Sequence, residues 1–402
     1  MKKIKSIGVL LVALVLFLSS MVSGCGDESQ NETISASDKP LRLEQLGTWD
    51  YSFFPGLEDI AFDYDPEGGL FEAITIDTAE INGKDYLVMS FDPLSSGHNS
   101  RLFIFDIENP VSPRLISSIA HPDEERKSYL VRDIAIQGGV IYAGLFGDKG
   151  LWIVDISDPA SPVDMGVSPI EANNNVIVSG DYLYSSGQLY NGIIVCDVSD
   201  ASDVKEIKRL DISTRDCRLE MNEDLLFLGI ENILTIYDIS SPGKPEKLVD
   251  FELSLSGELS TGMKWDGHIM DWSDWAHIND IKSSNNYAYV AFGAGQVRVI
   301  DISNPASPKE VTTFNLGGFA ISLAADKELL YVTKSDYESK KIQLSVVDIS
   351  DPENPGLVDS KMTESDFILG GVTLAFCWMR PQVVVDFIFV SGMRYLDVFE
   401  LR

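Results

Sequence analysis

Three groups of residues in this 402-residue chain have types and spacings that could do chemistry. The first is a set of polar residues that open short apolar runs: Asp133, Asn175, Asp280 and Ser322, with Asp216 joining if a small insertion is allowed. Arg132 and Arg215 precede two of the acids. Converging carboxylates could act as acid and base in a hydrolase, or hold a cation or the polar end of a ligand. Asp and Asn at such positions also cap backbone N–H groups, with arginines as charge partners, and that structural reading stands beside the first. The second group is the segment LSGELSTGMKWDGHIMDWSDWAHIND. It holds Trp265, Trp272 and Trp275 with His268 and His277. Aromatic rings beside carboxylates suit a sugar, a peptide or a cationic ligand, because they offer flat apolar area and directed acceptors. The same rings could instead plug a channel mouth. The third group is Asp63, Asp65 and Glu67 before Gly68, an alternation of oxygen ligands like the start of a calcium loop. The twelfth position of that loop is Ile74 rather than Glu, so the match is partial and calcium is the only cofactor it raises. Neither a nucleophile elbow nor a His-Glu-x-x-His motif occurs, and phosphate-binding and dinucleotide glycine loops are absent.

These residues must be carried by whatever the rest of the chain builds, and it builds by repetition. An apolar run ending in Asp-(Ile/Val)-(Ser/Glu), usually followed by a Pro-containing turn, occurs six times. It reads RLFIFDIENPVSP, GLWIVDISDPASP, GIIVCDVSDASD, ILTIYDISSPGKP, QVRVIDISNPASP and QLSVVDISDPENP. The acids are Asp106, Asp155, Asp197, Asp238, Asp301 and Asp348, and a degraded copy, YLDVFEL, puts Glu400 in the seventh position. Successive spacings are 49, 42, 41, 63, 47 and 52 residues, the period of a repeat architecture. The repeated Asp is architectural on this reading, its carboxylate accepting the N–H groups of the turn that follows.

Each repeat reads as four short strands. In the second they are DIAIQ from Asp133, VIYAGL from Val140, LWIVDI from Leu151 and VDMGV from Val163, separated by Gly, Asn, Asp and Pro. The middle two are apolar on both alternating positions, so both faces need cover. Neighbouring blades of a propeller provide that cover. The last copy stops at its third strand, and the first folded segment, PLRLEQLGTWD, resembles an isolated fourth strand. The expected fold is therefore all-β: a seven-bladed β-propeller of four-stranded blades over residues 41–402, closed by an N-terminal strand that completes the last blade. Closure removes free sheet edges, so a monomer is expected.

The six Asp-Ile/Val turns, together with Tyr142, Tyr184, Tyr289 and Tyr331 in the second strands, resemble the LVIVD-repeat family of β-propeller surface proteins. The resemblance covers about residues 70–402, with departures at Glu400 and around Ala201-Ser202-Asp203. It implies the propeller fold and an exported bacterial or archaeal protein, and it leaves the function open.

Charge and address narrow the partners. The chain has 62 acids against 31 bases, a net charge of −31. Such a field repels nucleic-acid phosphates and anionic lipid headgroups, so no nucleic-acid partner is expected. Lys2, Lys3 and Lys5 precede a short apolar run from Val9 to Leu18 and then Val22-Ser23-Gly24-Cys25. This resembles the lipobox of bacterial-type lipoproteins, which implies a signal peptide over residues 1–24 and a lipidated Cys25; an ordinary secretory signal is the other reading. Residues 25–40 then read as the lipidated cysteine and a polar tether. Cys196, Cys217 and Cys377 make no even disulfide framework. The expected function is a non-enzymatic, lipid-anchored scaffold at the cell surface or in the periplasm. It would bind an envelope protein or a glycan through the variable loops, using Trp265, His268, Trp272, Trp275, His277, Arg132, Asp133, Arg215, Asp216 and Asp280. The alternative is a glycosidase-like hydrolase using the channel-mouth carboxylates.

Overall fold

In every repeat the first two strands turn back on each other through two residues, and the first of the two takes a positive φ. Asn82, Gly138, Gly180, Glu223, Asn285, Lys327 and Val385 do so, at 49° to 60°. Tight hairpins of this kind match the twist of the strands they join. A computed structural model describes residues 41–50, 71–72, 75–93, 100–122, 130–146, 150–170, 175–186, 192–212, 217–254, 264–265, 268–269, 277–293, 295–336, 339, 341–366, 368–369, 372–373, 381–392 and 395–402. Leu41–Arg402 forms one compact unit.

The chain enters through β1 (Leu43–Asp50) and a short β2 (Phe71–Glu72). Blade 1 is β3 (Ile76–Ile81), β4 (Lys84–Pro93), β5 (Arg101–Asp106) and β6 (Arg114–Ala120), with β2 paired to the end of β4. Blade 2 is β7 (Leu130–Gln137), β8 (Val140–Phe146), β9 (Leu151–Asp155) and β10 (Val163–Ser168). Blade 3 is β11 (Val176–Ser179), β12 (Tyr182–Ser186), β13 (Ile193–Asp197) and β14 (Lys205–Leu210). Blade 4 is β15 (Arg218–Asn222), β16 (Leu225–Ile230), β17 (Ile233–Asp238) and β18 (Glu246–Glu252). A small hairpin, β19 (Lys264–Trp265) with β20 (His268–Ile269), follows. Blade 5 is β21 (Ile278–Ser284), β22 (Tyr287–Phe292), β23 (Gln296–Asp301) and β24 (Lys309–Asn315). Blade 6 is β25 (Phe319–Asp326), β26 (Leu329–Asp336), β27 (Lys341–Asp348) and β28 (Gly356–Asp366). After a second small hairpin, β29 (Ile368–Leu369) with β30 (Val372–Thr373), blade 7 has β31 (Pro381–Val384), β32 (Phe387–Ser391) and β33 (Tyr395–Leu401).

The fourth strand of blade 7 is β1, antiparallel to β33 from Leu43 opposite Leu401 to Asp50 opposite Tyr395. All seven outer strands carry the same irregularity, a bulge near their start. The extra residue is Ile116, Met165, Ile207, Leu248, Val311, Val358 and, in β1, Leu46. That β1 bulges like the other six identifies it as the missing outer strand. Bulges also twist an outer edge away from foreign strands.

The core is divided among the junctions. Seven apolar clusters lie one between each pair of adjacent blades, including blade 6 with blade 7 and blade 7 with blade 1. Phe389, Leu396 and Val398 of blade 7 thus pack with Ile76, Leu87 and Phe103 of blade 1. The ring closes as the expected all-β, seven-bladed propeller.

Candidate functional site

The two ends of the ring differ in chemistry. At one end, hereafter the turn end, each blade spends its repeated acid on its own backbone. Asp106, Asp155, Asp197, Asp238, Asp301 and Asp348 accept the N–H two residues on, at 2.8 to 3.0 Å. The apolar residue after each acid is buried, and in blades 2 to 6 its own N–H donates to the carbonyl of the first hairpin turn in the same blade, as Ile156 does to Gly139 and Ile302 to Asn286, whereas in blade 1 Ile107 N donates to Asp85 O at the start of β4. The motif therefore ties the second turn of a blade to its first, which is the architectural role expected from its repetition.

At the other end, the loop end, the polar residues that open the inner strands come into register. Asp133 lies opposite Gly144, Asp280 opposite Ala291 and Ser322 opposite Thr333. Asn175 and Thr75 are the equivalents in blades 3 and 1, linked to Ser186 and Ser90. In blade 4 that register belongs to Arg218, opposite Gly229. Asp216 and Arg215 lie outside the described residues. A bulge precedes the ring position in blades 2, 5 and 6, and the bulged residues are Arg132, Asn279 and Ile321.

Both ring carboxylates are buried, each 2% exposed. Asp133 accepts the N–H groups of Ile134 and Val176, the side-chain amide of Asn175 and the hydroxyl of Thr75, at 3.1 to 3.4 Å. Asp280 accepts from Ile281 N at 2.9 Å, Ser322 Oγ at 2.5 Å and Leu323 N at 2.8 Å. Each acid thereby stitches its blade to the next one. Asp77 and Glu220 do the same one step further along the inner strands, accepting from Ile136 N and Ser283 N of the following blades. A carboxylate offers about four acceptor sites, so Asp133 with four donors binds no ligand without giving some of them up, and Asp280 with three donors has most of its capacity committed.

The loop end is also where buried polar atoms lack partners. Among the described residues, Ser168 Oγ, Asn175 Oδ1, Ser185 Oγ, Gln296 Oε1, Ser335 Oγ and Ser391 Oγ make no hydrogen bond. All six belong to residues within a residue or two of the loop-end termini of their strands. Buried polar atoms are normally paired, so their collection at one end marks it as the end that meets water or a ligand.

The Trp-rich insert is rooted at this end between blades 4 and 5. Arg298, 1% exposed, donates to Ser254 O at 2.8 Å and to Glu310 Oε1 at 2.7 Å, and lies 5.2 Å from the Phe292 ring centre. At the far root His277 is half-buried and its carbonyl accepts Gly293 N. Trp265 and His268 face each other across the backbone pairing of β19 and β20. Trp272 and Trp275 lie outside the described residues, as do Cys25, Asp63, Asp65 and Glu67. Sequence reasoning passed over Arg298, Arg218 and the buried Asp397. Arg298 and Asp397 had a signal, a lone charge inside an apolar third strand (QVRVID and YLDVFEL). Cys196 and Cys217 are both buried, in different clusters, and burial pushes the Cys196 thiol up to about 12, an inert state.

The repeating turns and their spacing match a known repeat in four places. Residues 130–167, 172–212, 277–315 and 330–363 fit the LVIVD repeat profile, which are blades 2, 3, 5 and 6. The chain carries LVIVD repeats. The LVIVD acids in these segments are the turn-end acceptors described above, and the loop-end ring falls at or near the start of three of them. No curated protein sequence matches the chain. Solved structures do. A protein from Lactobacillus plantarum is 12% identical, with a TM-score of 0.57 over 77% of this chain and 89% of that one. A hypothetical selenium-binding protein from Sulfolobus tokodaii is 16% identical, with a TM-score of 0.51 over 74% of this chain and 81% of that one. A periplasmic gluconolactonase from Pseudomonas aeruginosa is 11% identical, with a TM-score of 0.52 over 73% and 84%. At these identities the likeness is one of fold.

Proposed function

We propose that this LVIVD-repeat propeller is an extracytoplasmic, lipid-anchored binding scaffold that holds an envelope protein or a glycan on its loop end. The observation that carries the reading is the asymmetry of the ring. The turn end is short, uniform and internally satisfied, whereas the loop end has the variable connections and the unpartnered buried polar atoms. Variable loops on one face of a rigid scaffold are where binding is usually built. The commitment of Asp133 and Asp280 to bonds that stitch adjacent blades favours a scaffold over the hydrolase alternative, which would draw its acid and base from them. The anchor rests on Val22-Ser23-Gly24-Cys25 alone.

Two experiments test the reading. Mass spectrometry of the mature N-terminus should find a diacylated Cys25, and Cys25→Ser should release the chain from membranes. A cross-linking pull-down from cell envelopes would compare residues 27–402 with the same span carrying Trp265→Ala, Trp272→Ala and Trp275→Ala, after both are shown to melt alike. A partner held by the first and lost by the second places binding on the insert. Equal recovery from both overturns the insert as the site.

A further inference from the structure

Exposed apolar side chains are spread unevenly around the ring. Nine large ones occur among the described residues, and five of them stand at the turn end, in a turn or within the first two residues of an outer strand. These five are Leu357, Leu41, Val385, Val111 and Val163, and they belong to four successive blades, 6, 7, 1 and 2. The same places in blades 3, 4 and 5 hold small or charged residues. Leu41 and Val111 lie three residues before the one that faces the repeated acid, where the other blades have Ala160, Ser202, Gly243, Ala306 and Glu353. Val163 itself faces Asp155, where blades 3 to 5 have Lys205, Glu246 and Lys309.

Val385 departs furthest from the pattern. It is the first residue of its hairpin turn, with φ of 56°, a place that the other blades give to Asn, Gly, Glu or Lys. A β-branched side chain fits that conformation poorly. It is also the most exposed large apolar residue among those described, at 70%. Backbone strain and exposed apolar surface at one residue together point to a contact outside the chain.

What covers this arc follows from chain path and charge. Leu41 is part of the arc and is sixteen residues on from Cys25, a path of at most about 55 Å. The arc therefore surrounds the point where the chain from the anchor reaches the propeller. A second copy is a poor occupant, because two turn ends face to face would oppose the repeated acids of two chains of charge −31. Anionic headgroups are poor for the same reason. The bases on the arc are already paired, Lys84 with Glu108, Arg114 with Asp106 and Arg402 with Glu44. We propose that the turn end of blades 6, 7, 1 and 2 rests on the interface of a zwitterionic bilayer, with the five apolar side chains dipping among the headgroups. The loop end then faces away from the anchoring leaflet, so its partner is met from outside that membrane. This rests on the lipid-anchor reading above and deepens it.

The test is lipid photolabelling of the full chain, made with its own leader and reconstituted in phosphatidylcholine vesicles that carry a diazirine acyl chain. Adducts are mapped by peptide mass spectrometry. They are expected on the peptides that hold Leu41, Val111, Val163, Leu357 and Val385, and not on the turn end of blades 3 to 5 or on the loop end. Phosphatidylglycerol in place of phosphatidylcholine should lower this labelling. In a Leu357→Ser, Val385→Asn variant the adducts on those two peptides should be lost. Asn suits the positive φ, so the variant is expected to melt no lower than wild type. Adducts spread evenly, or gathered at the loop end, on a chain that stays with the vesicles overturn the proposal and leave the anchor standing. Cross-links between the arcs of two copies without lipid adducts overturn it as well. A chain that does not stay with the vesicles overturns the anchor, and the proposal with it.

Discussion

Removing the carboxylate of Asp280 would strand the N–H groups of Ile281 and Leu323 and the hydroxyl of Ser322. A buried donor left without an acceptor loses about 1–3 kcal/mol. Asp280→Ala is therefore expected to lower the unfolding free energy by at least that much in urea titration, and Asp280→Asn, which keeps one acceptor oxygen, by less. A catalytic acid would behave differently, losing turnover on the Asn substitution with the melting point kept. Asp133 and Asp280 were legible in the sequence as a matched pair because the strands align them. Their engagement by the neighbouring blade was not legible, because the donors from Asn175, Val176, Ser322 and Leu323 come from the next blade, some 42 or 43 residues further on.

The element that closes the ring has its own buried acid. Asp397 of β33 is fully buried and accepts Thr48 Oγ1 at 2.6 Å and Gln45 Nε2 at 2.8 Å from β1, and Glu364 N at 3.2 Å from β28. Burial raises its pKa, and the three hydrogen bonds offset that only in part, with the charge of Glu364 also raising it. Other charged groups on these strands are Glu44 and Asp50 of β1, Asp359, Lys361 and Asp366 of β28, and Glu400 of β33 itself, while β32 has none. A carboxyl with a raised folded pKa contributes stability fully below its unfolded value, near 3.9, and loses it as pH rises through the folded one. The exchange protection of β1 amides, corrected for intrinsic rates, should therefore fall as pH rises through that range. In Asp397→Asn this part of the slope should disappear. An unchanged slope would show that Asp397 does not set the strength of the closure. β1 itself was readable from its likeness to a fourth strand. The acid opposite it was not, since its burial depends on strands from both ends of the chain.

At the scale of the whole molecule the turn-end acids act together. Hydrogen bonds from Ser199, Ser240 and Ser350, side chain first and then N–H, hold Asp197, Asp238 and Asp348 below the usual carboxylate range. For Asp106 and Asp301 the N–H groups of Glu108 and Ser303 lead, followed by Arg114 and the Ser303 hydroxyl. Each of these folded values lies below the unfolded one, so the contribution is present above about pH 4 and is lost as pH falls through the folded values. Apart from Asp106, which is 8% exposed, these acids sit at or near the surface, so each effect is small and the sum is what a measurement sees. Calorimetry from pH 6 to pH 3 should show the melting temperature dropping, with proton uptake on unfolding. A Ser199→Ala, Ser240→Ala, Ser350→Ala variant should show a shallower drop.

The sequence by itself determined the number of blades, the strand content and the way the ring closes. Those follow from local matters: alternation of apolar residues, turn residues at fixed points, and a phrase repeated with one fourth strand displaced to the front. It also placed Asp133, Asn175, Asp280 and Ser322 at one level of the ring, because register follows from hairpin length. Only the tertiary structure decided which of those groups the next blade engages, that the unpartnered ones gather at the loop end, and that the apolar residues at the turn end of blades 6, 7, 1 and 2 stay uncovered. These depend on which atoms of one blade face the next. That is settled by packing between segments tens to hundreds of residues apart, and no local pattern records it.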